Sequence, residues 1–165
     1  MAPRPSFEQV AHEHGPMIRR IASSYEADIH LAEELVQDIL YAIWRTLPSY
    51  RGASSVRAFV ARIATNRAVT HVARAMRIPK RADLSENLAS TADGPETQAI
   101  VHEQAARLLS AVRSLPLALR QAALLRLEGF STKEIAGILG ISANAVAIRT
   151  SRSKEILRQL LGEPR

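Results

Sequence analysis

Eight cationic side chains and no carboxylate lie between Arg51 and Arg81: Arg51, Arg57, Arg62, Arg67, Arg74, Arg77, Lys80 and Arg81. A face built only for solubility mixes its signs, so a run of one sign points to a polyanion, and nucleic acid is the natural one. Arg67, His71 and Arg74 fall at i, i+4 and i+7 and so share one side of a helix. A second cationic set, Arg149, Arg152, Lys154 and Arg158, comes near the C-terminus. The other candidates for chemistry are weaker. Glu33, Glu34 and Asp38 have no nucleophile or shaped pocket to work with, and read as an acidic face for protein contact. His12-Glu13-His14 suggests a metal, but residues two apart on a helix do not face each other, so a solvated surface is expected there. Tyr41 and Trp44 read as core or edge packing and not as base-stacking platforms. No phosphate-cradling glycine loop and no G-x-S-x-G elbow is present. The chemistry on offer is binding, and no metal or cofactor is expected.

The second cationic set belongs to a recognisable element. Ser131-Thr132-Lys133-Glu134 is a capping box, in which serine and glutamate each satisfy one orphan N–H of a helix start. Ile135, Ile138 and Leu139 follow at i, i+3 and i+4, with the small Ala136 among them. Gly140 allows a sharp turn, Ile141 plugs it, Ser142 caps a second helix, and Val146 points back at the first. This is a predicted helix-turn-helix, whose second helix ordinarily lies in the major groove of duplex DNA. With Val146 inward, Ala147, Ile148, Ser151 and Arg152 face outward and Arg149 flanks them.

Composition sets the bounds. The 165 residues suffice for one domain or two small ones, and the net charge of +6 again favours an acidic polymer. With no cysteine there is neither a disulfide framework nor a thiolate zinc site. No apolar run reaches the roughly 18 residues of a membrane span, and no signal peptide opens the chain, so a cytoplasmic protein is expected. Taken in order, Ser6 caps a short helix to about His14, Gly15-Pro16 interrupts it, and a new helix carries Met17, Ile18, Ile21 and Tyr25. Asp28 caps a long helix with Leu31, Leu35, Ile39, Ile43 and Leu47 in its stripe, widened by Val36, Leu40 and Trp44. A third helix runs from Ser55 to about Arg77 on a stripe of Val56, Phe59, Val60 and Ile63. Periodicity stops over residues 79–96, read as an interdomain linker. Beyond it, Val101, Ala105, Leu108, Val112 and Leu115 mark one helix face. Pro116 opens another helix with Leu119, Ala122, Ala123 and Leu127, which Gly129 stops. The expected fold is all-α: a helical domain at 6–78, the linker at 79–96, and a domain at 97–161 ending in the helix-turn-helix.

Three stretches carry a family resemblance. They are Ala32-Glu33-Glu34-Leu35-Val36-Gln37-Asp38-Ile39-Leu40 with Trp44; Arg57-Ala58-Phe59-Val60-Ala61-Arg62-Ile63-Ala64-Thr65-Asn66-Arg67; and Leu115-Pro116 with Arg120 and Glu134-Ile135-Ala136. In this order and separation they resemble a bacterial RNA polymerase sigma factor of the compact extracytoplasmic-function class, from about Phe7 to Leu161. The resemblance implies that the acidic helix docks on the clamp helices of core polymerase through Glu33, Glu34, Gln37 and Asp38. It implies that the third helix and the loop before it open and hold the minus-ten promoter element, involving Arg51, Gly52, Ser54, Arg62, Asn66, Arg67, His71 and Arg74. A melted strand needs cationic backbone tracking and a pocket for an unstacked base, which suits those residue types. It implies duplex reading of the minus-thirty-five element through Thr132, Lys133, Asn144, Ala147, Ile148, Arg149, Ser151 and Arg152.

The chain departs from the family pattern in places. Thr70 stands for the usual Asp, Phe59 for the usual Trp, and Ala147 and Ile148 for polar readers, which leaves methyl contacts with thymine as a route. The expected partners are core RNA polymerase, promoter DNA as duplex and melted strand, and an anti-sigma factor. The expected protein is a monomer, is not inserted in a membrane and is not an enzyme. A rival reading, a stand-alone helix-turn-helix regulator on duplex DNA, accounts for Ser131 to Leu161 but leaves the acidic helix and the Arg51–Arg81 run without a purpose.

Overall fold

Helices begin here where the sequence supplies an oxygen to cap them. The side chains of Ser6, Asp28, Ser55, Ser131 and Ser142 accept from the backbone N–H groups of Gln9, His30 with Leu31, Ala58, Glu134 and Ala145. Each removes one unsatisfied donor from a first turn, and Asp28 removes two. The computed structural model describes residues 3–78 and 96–162. It contains helices α1 (Phe7–Tyr25), α2 (Ile29–Thr46), α3 (Val56–Arg77), α4 (Glu96–Ser114), α5 (Leu117–Leu127), α6 (Thr132–Leu139) and α7 (Ala143–Leu161), with a 3-10 turn over Leu47–Ser49. There is no strand among the described residues. Residues 79–95, most of the expected linker, lie outside them; Glu96 already opens α4.

Helices α1, α2 and α3 pack on one another, and α4 to α7 form a second cluster. Ile18, Ile21, Leu35, Ile39, Ile43 and Val60 lie at the centre of the first, all at most 2% exposed. The second buries Val112, Leu125, Phe130, Ile135 and Val146. The two clusters are continuous: α1 touches α4, α3 touches α5 and α6, and the buried residues of both belong to one connected core.

Four expectations need correction. Gly15-Pro16 does not interrupt α1, which runs straight through Pro16. A proline inside a helix costs about 3 kcal/mol. Burying Met17, Ile18 and Ile21 in phase with Val10 returns about 1.5–3 kcal/mol each, so packing wins. The ring of Pro16 faces solvent, where its missing N–H strands no buried partner. On α2, Leu31 and Trp44 are exposed, 42% and 56%, while Leu35, Val36, Ile39, Ile43 and Leu47 turn toward α1 and α3 and are buried. On α3 the buried face is small: Ala58, Ala61, Ala64, Thr65 and Ala68 join Val60, while Val56, Phe59 and Ile63 are half-buried. Alanines weigh little in an apolar pattern, yet they let helices approach most closely. In the second cluster Val101, Ala105 and Leu127 are exposed, since the described helices pack only against the last turns of α4 and the inner side of α5.

Candidate nucleic-acid interface

The acidic residues of α2 and the cationic residues of α3 emerge side by side. Glu33, Glu34 and Gln37 are exposed, and Asp38 is half-exposed where α2 meets α3. There Arg67 Nη2 donates to Asp38 Oδ1 at 3.1 Å. One residue of the expected protein-contact set is therefore tied to one of the expected DNA-contact set. The stripe of Glu34, Gln37 and Asp38 continues one turn on into Tyr41 and Trp44, 54% and 56% exposed, with ring centroids 5.9 Å apart. Both aromatics were expected in packing; they stand in solvent instead. The signal that could have placed them is their phase with Glu34 and Gln37, on the flank opposite Leu35 and Ile39.

The loop before α3 is pinned at several points. Tyr50 packs against Phe59 with ring centroids 5.0 Å apart, and its hydroxyl donates to the Ser54 carbonyl. Arg51 Nη1 donates to Pro48 O at 3.2 Å, and Gly52 takes φ of 79°, a left-handed conformation that glycine adopts without a Cβ penalty. Ser54 is exposed at the end of this loop, and Asn66 and Arg74 are exposed along α3. His71 is less available: its Nε2 lies 2.7 Å from Glu26 Oε2, and both side chains are mostly covered. Arg62 leaves the row altogether and donates to Gly137 O of α6 at 2.8 Å.

The helix-turn-helix forms as its sequence predicts. The Ser131–Glu134 capping box closes in both directions, and the bond from the Ser131 N–H holds the Glu134 carboxyl below its ordinary pKa. Gly140 turns at φ of 66°, and Val146 is fully buried against α6. Asn144, Ala147, Ile148, Ser151 and Arg152 are exposed on α7, with Arg149 half-buried beside them. Thr150 donates to the carbonyls of Val146 and Ala147, so its hydroxyl is spent within the helix. Ser153, fully buried, fastens α7 to α5 through Leu119 O at 3.0 Å. Thr132 is half-buried and takes a bond from Arg126 at 2.6 Å; Lys133 is exposed and borders the same cleft as Ser54 and Arg62.

Cationic side chains also do structural work that the sequence did not disclose. Arg120 points inward: its guanidinium donates to Arg113 O and Leu115 O, closing the end of α4, and covers the Tyr25 ring at 5.4 Å. Burial pushes the Tyr25 phenol well above its ordinary value, so it stays neutral. His14 is buried on α1, not on a solvated surface, and that burial lowers its pKa. Among the described residues no three His, Cys, Asp or Glu side chains stand together as a metal site, and no helix is long and apolar enough to cross a membrane.

This pairing of an acidic-and-cationic three-helix unit with a helix-turn-helix is matched in known proteins. Residues 10–78 match sigma-70 region 2, and residues 105–157 match sigma-70 region 4. The extracytoplasmic-function sigma-E factor of Escherichia coli is 31% identical over 134 residues, covering 75% of this chain and 70% of its own. The chain belongs to the extracytoplasmic-function class of sigma-70 factors. SigE of Mycolicibacterium smegmatis is 29% identical over 98% of the chain, which spans 64% of that longer protein. In fold, the chain matches the sigma factor RpoE in its complex with the anti-sigma factor NepR from Bartonella quintana. The TM-score is 0.74 at 23% identity, over 96% of this chain and 98% of that one. For this sigma factor, α1 to α3 carry region 2, and the second half of α4 through α7 carries region 4.

Proposed function

We propose that this sigma factor docks on core RNA polymerase through the outward face of α2, built of Glu33, Glu34, Gln37 and Asp38 and continued by Tyr41 and Trp44. An acidic stripe ending in two exposed aromatics offers both charge for orientation and area for affinity. In the same reading, the Arg51–Ser54 loop with Asn66, Arg67, His71 and Arg74 holds the melted minus-ten strand. Its cations track phosphates, and the pinned loop borders the place for an unstacked base. The exposed face of α7, with Thr132 and Lys133 of α6, reads the upstream element as duplex. Ala147 and Ile148 offer methyl groups there, leaving Arg149 and Arg152 as the cations.

The observation that carries the reading is the junction of α2 and α3, where an acidic face and a cationic face share one rigid three-helix unit. A protein that must hold a polymerase and a DNA strand at once needs that adjacency. The chain supplies binding and no catalysis of its own, acts in the cytoplasm as a monomer, and is bound by a protein of the anti-sigma kind, as the Bartonella protein is in its complex with NepR. Run-off transcription tests the core of this. Core polymerase with the chain yields discrete promoter-dependent transcripts, and core alone does not. Equal transcription without the chain, or duplex binding by the chain with no effect on polymerase, would favour a stand-alone regulator.

A further inference from the structure

The outward face of α7 is apolar at its centre. Val146 is buried, and the opposite side of the helix presents Asn144, Ala147, Ile148, Ser151 and Arg152, all exposed. Counted from Asn144 they fall at i, i+3, i+4, i+7 and i+8, the spacing of one helix face. Ile148 is 45% exposed. A lone exposed isoleucine is ordinary on a protein surface, but this one stands at the middle of the arc, one turn from Asn144 and one turn from Arg152. The hydroxyls nearest to it in the chain are engaged within the helix. Ser142 accepts from the Ala145 N–H at 3.0 Å, and Thr150 donates to the carbonyls of Val146 and Ala147. One turn beyond Ser151 on the same face, Glu155 accepts a bond from Gln159, Nε2 to Oε1 at 3.2 Å. A carboxylate repels phosphates, so the part of the helix that suits DNA ends at about Arg152.

The chemistry of the major groove says what such a face can distinguish. A thymine shows there a C5-methyl group and the O4 acceptor, whereas a cytosine shows an amino donor at N4 and only a hydrogen at C5. An isoleucine offers an amino donor nothing, and pressing against one leaves it without an acceptor. Against a methyl group, the same side chain takes apolar surface out of water on both partners. A recognition helix turns its N-terminal residues to the base edges. Here two of those residues, Ala147 and Ile148, carry no hydrogen-bonding side chain.

We propose that α7 selects pyrimidines by the methyl group at C5, with Ile148 making the contact and the small Ala147 letting the helix approach closely enough for it. The inference rests on the reading of α7 as the face that meets duplex DNA, and names the chemical feature that this face recognises. Thymine supplies the methyl in unmodified DNA. 5-Methylcytosine carries the same group at the same place, so the chain also responds to cytosine methylation within its upstream element.

The full chain first selects from a duplex pool randomised over about 10 base pairs, one turn of DNA. The preferred duplex is then rebuilt with deoxyuridine in place of each thymine in turn, which deletes a methyl group and keeps every hydrogen-bonding group. One or two positions should lose about fourfold in affinity, the worth of one buried methyl. At such a position cytosine should bind more weakly still, and 5-methylcytosine should regain about fourfold over cytosine. Ile148→Val keeps branched methyl groups and should keep the discrimination. Ile148→Ala should bind the thymine and deoxyuridine duplexes alike, and circular dichroism should show it folded, since Ile148 lies outside the core. The methyl reading is overturned by a preferred duplex that holds no thymine, or in which deoxyuridine serves as well at every position. It is equally overturned if 5-methylcytosine binds no better than cytosine, or if the deoxyuridine loss persists in Ile148→Ala. Each of those results leaves α7 standing as a duplex reader. A selection that returns no preferred duplex removes that role itself, and the methyl reading with it.

Discussion

Replacing Asp38 by Asn separates folding from docking. The carboxylate accepts from Arg67 at 3.1 Å, with the two side chains 42% and 35% exposed. Half-exposed pairs of this kind contribute about 0.2–1 kcal/mol, and asparagine keeps an acceptor oxygen, so the loss falls at the low end. For a chain of this size that lowers Tm by at most about 2–4 °C. A charge at the heart of a protein interface costs about 2 kcal/mol or more when removed, close to 30-fold in Kd. The two effects differ enough to be measured apart. Fluorescence anisotropy of labelled chain titrated with core polymerase reports docking, and thermal denaturation followed by circular dichroism reports folding. Asp38→Asn should lose at least tenfold in core affinity while melting within a few degrees of the wild type. Arg67→Ala should leave core affinity within about twofold, since the arginine serves the strand and not the polymerase. Unchanged docking by Asp38→Asn would move the polymerase surface off this end of α2. Equal losses from both variants would mean that the ion pair itself, and not the free carboxylate, is what polymerase meets.

Arg152→Ala should weaken duplex binding with little change in sequence preference and lower the salt slope by about one unit, the mark of a lost phosphate contact; relaxed preference at one base pair would instead place Arg152 on a guanine edge. Arg67→Ala with Arg74→Ala should impair opening of the minus-ten region, read by permanganate reactivity of its thymines, even where the upstream element is optimal; normal reactivity would remove α3 from melting. Burial, opposed by the Glu13 carboxylate and aided by Arg57, holds the His14 pKa below its ordinary value, so the folded state prefers the neutral ring. Its contribution is therefore complete above that value and lost as pH falls toward the depressed one. His14→Gln should flatten the fall of Tm as pH drops below the ordinary histidine range; an unchanged slope would assign it to other groups.

What could be read from the sequence was local. Ser6, Asp28, Ser131 and Ser142 all cap where their positions before apolar runs suggest, because a cap depends on three or four consecutive residues. The helix-turn-helix was legible for the same reason: its box, its glycine and its inward Val146 lie within 16 residues, Ser131 to Val146. Pro16 misled because the local cost of a proline is visible in sequence, whereas the packing of Met17, Ile18 and Ile21 that outweighs it is not. Tyr41 and Trp44 misled because apolarity suggests burial, and only the neighbours decide which flank of α2 is covered. The partner of Arg20 is Glu128, 108 positions away, beyond any periodic pattern. The same is true of Arg57: the charge run marked it as one cation among eight, when its guanidinium packs on Phe130.

The connected core has a consequence for the lifetime of the protein in a cell. Phe130, Leu125 and Val112 belong to the same buried cluster as Ile18, Ile21 and Val60, so each half shelters part of the other. Parted, each becomes a small helical unit that buries a lower fraction of its surface, and such units open often. Proteases take chains in their opened states, at a rate set by how much of the time they spend there. A variant whose shared core is cut so that the halves part is therefore expected to be degraded faster than the wild type, which pulse-chase labelling in cells would show.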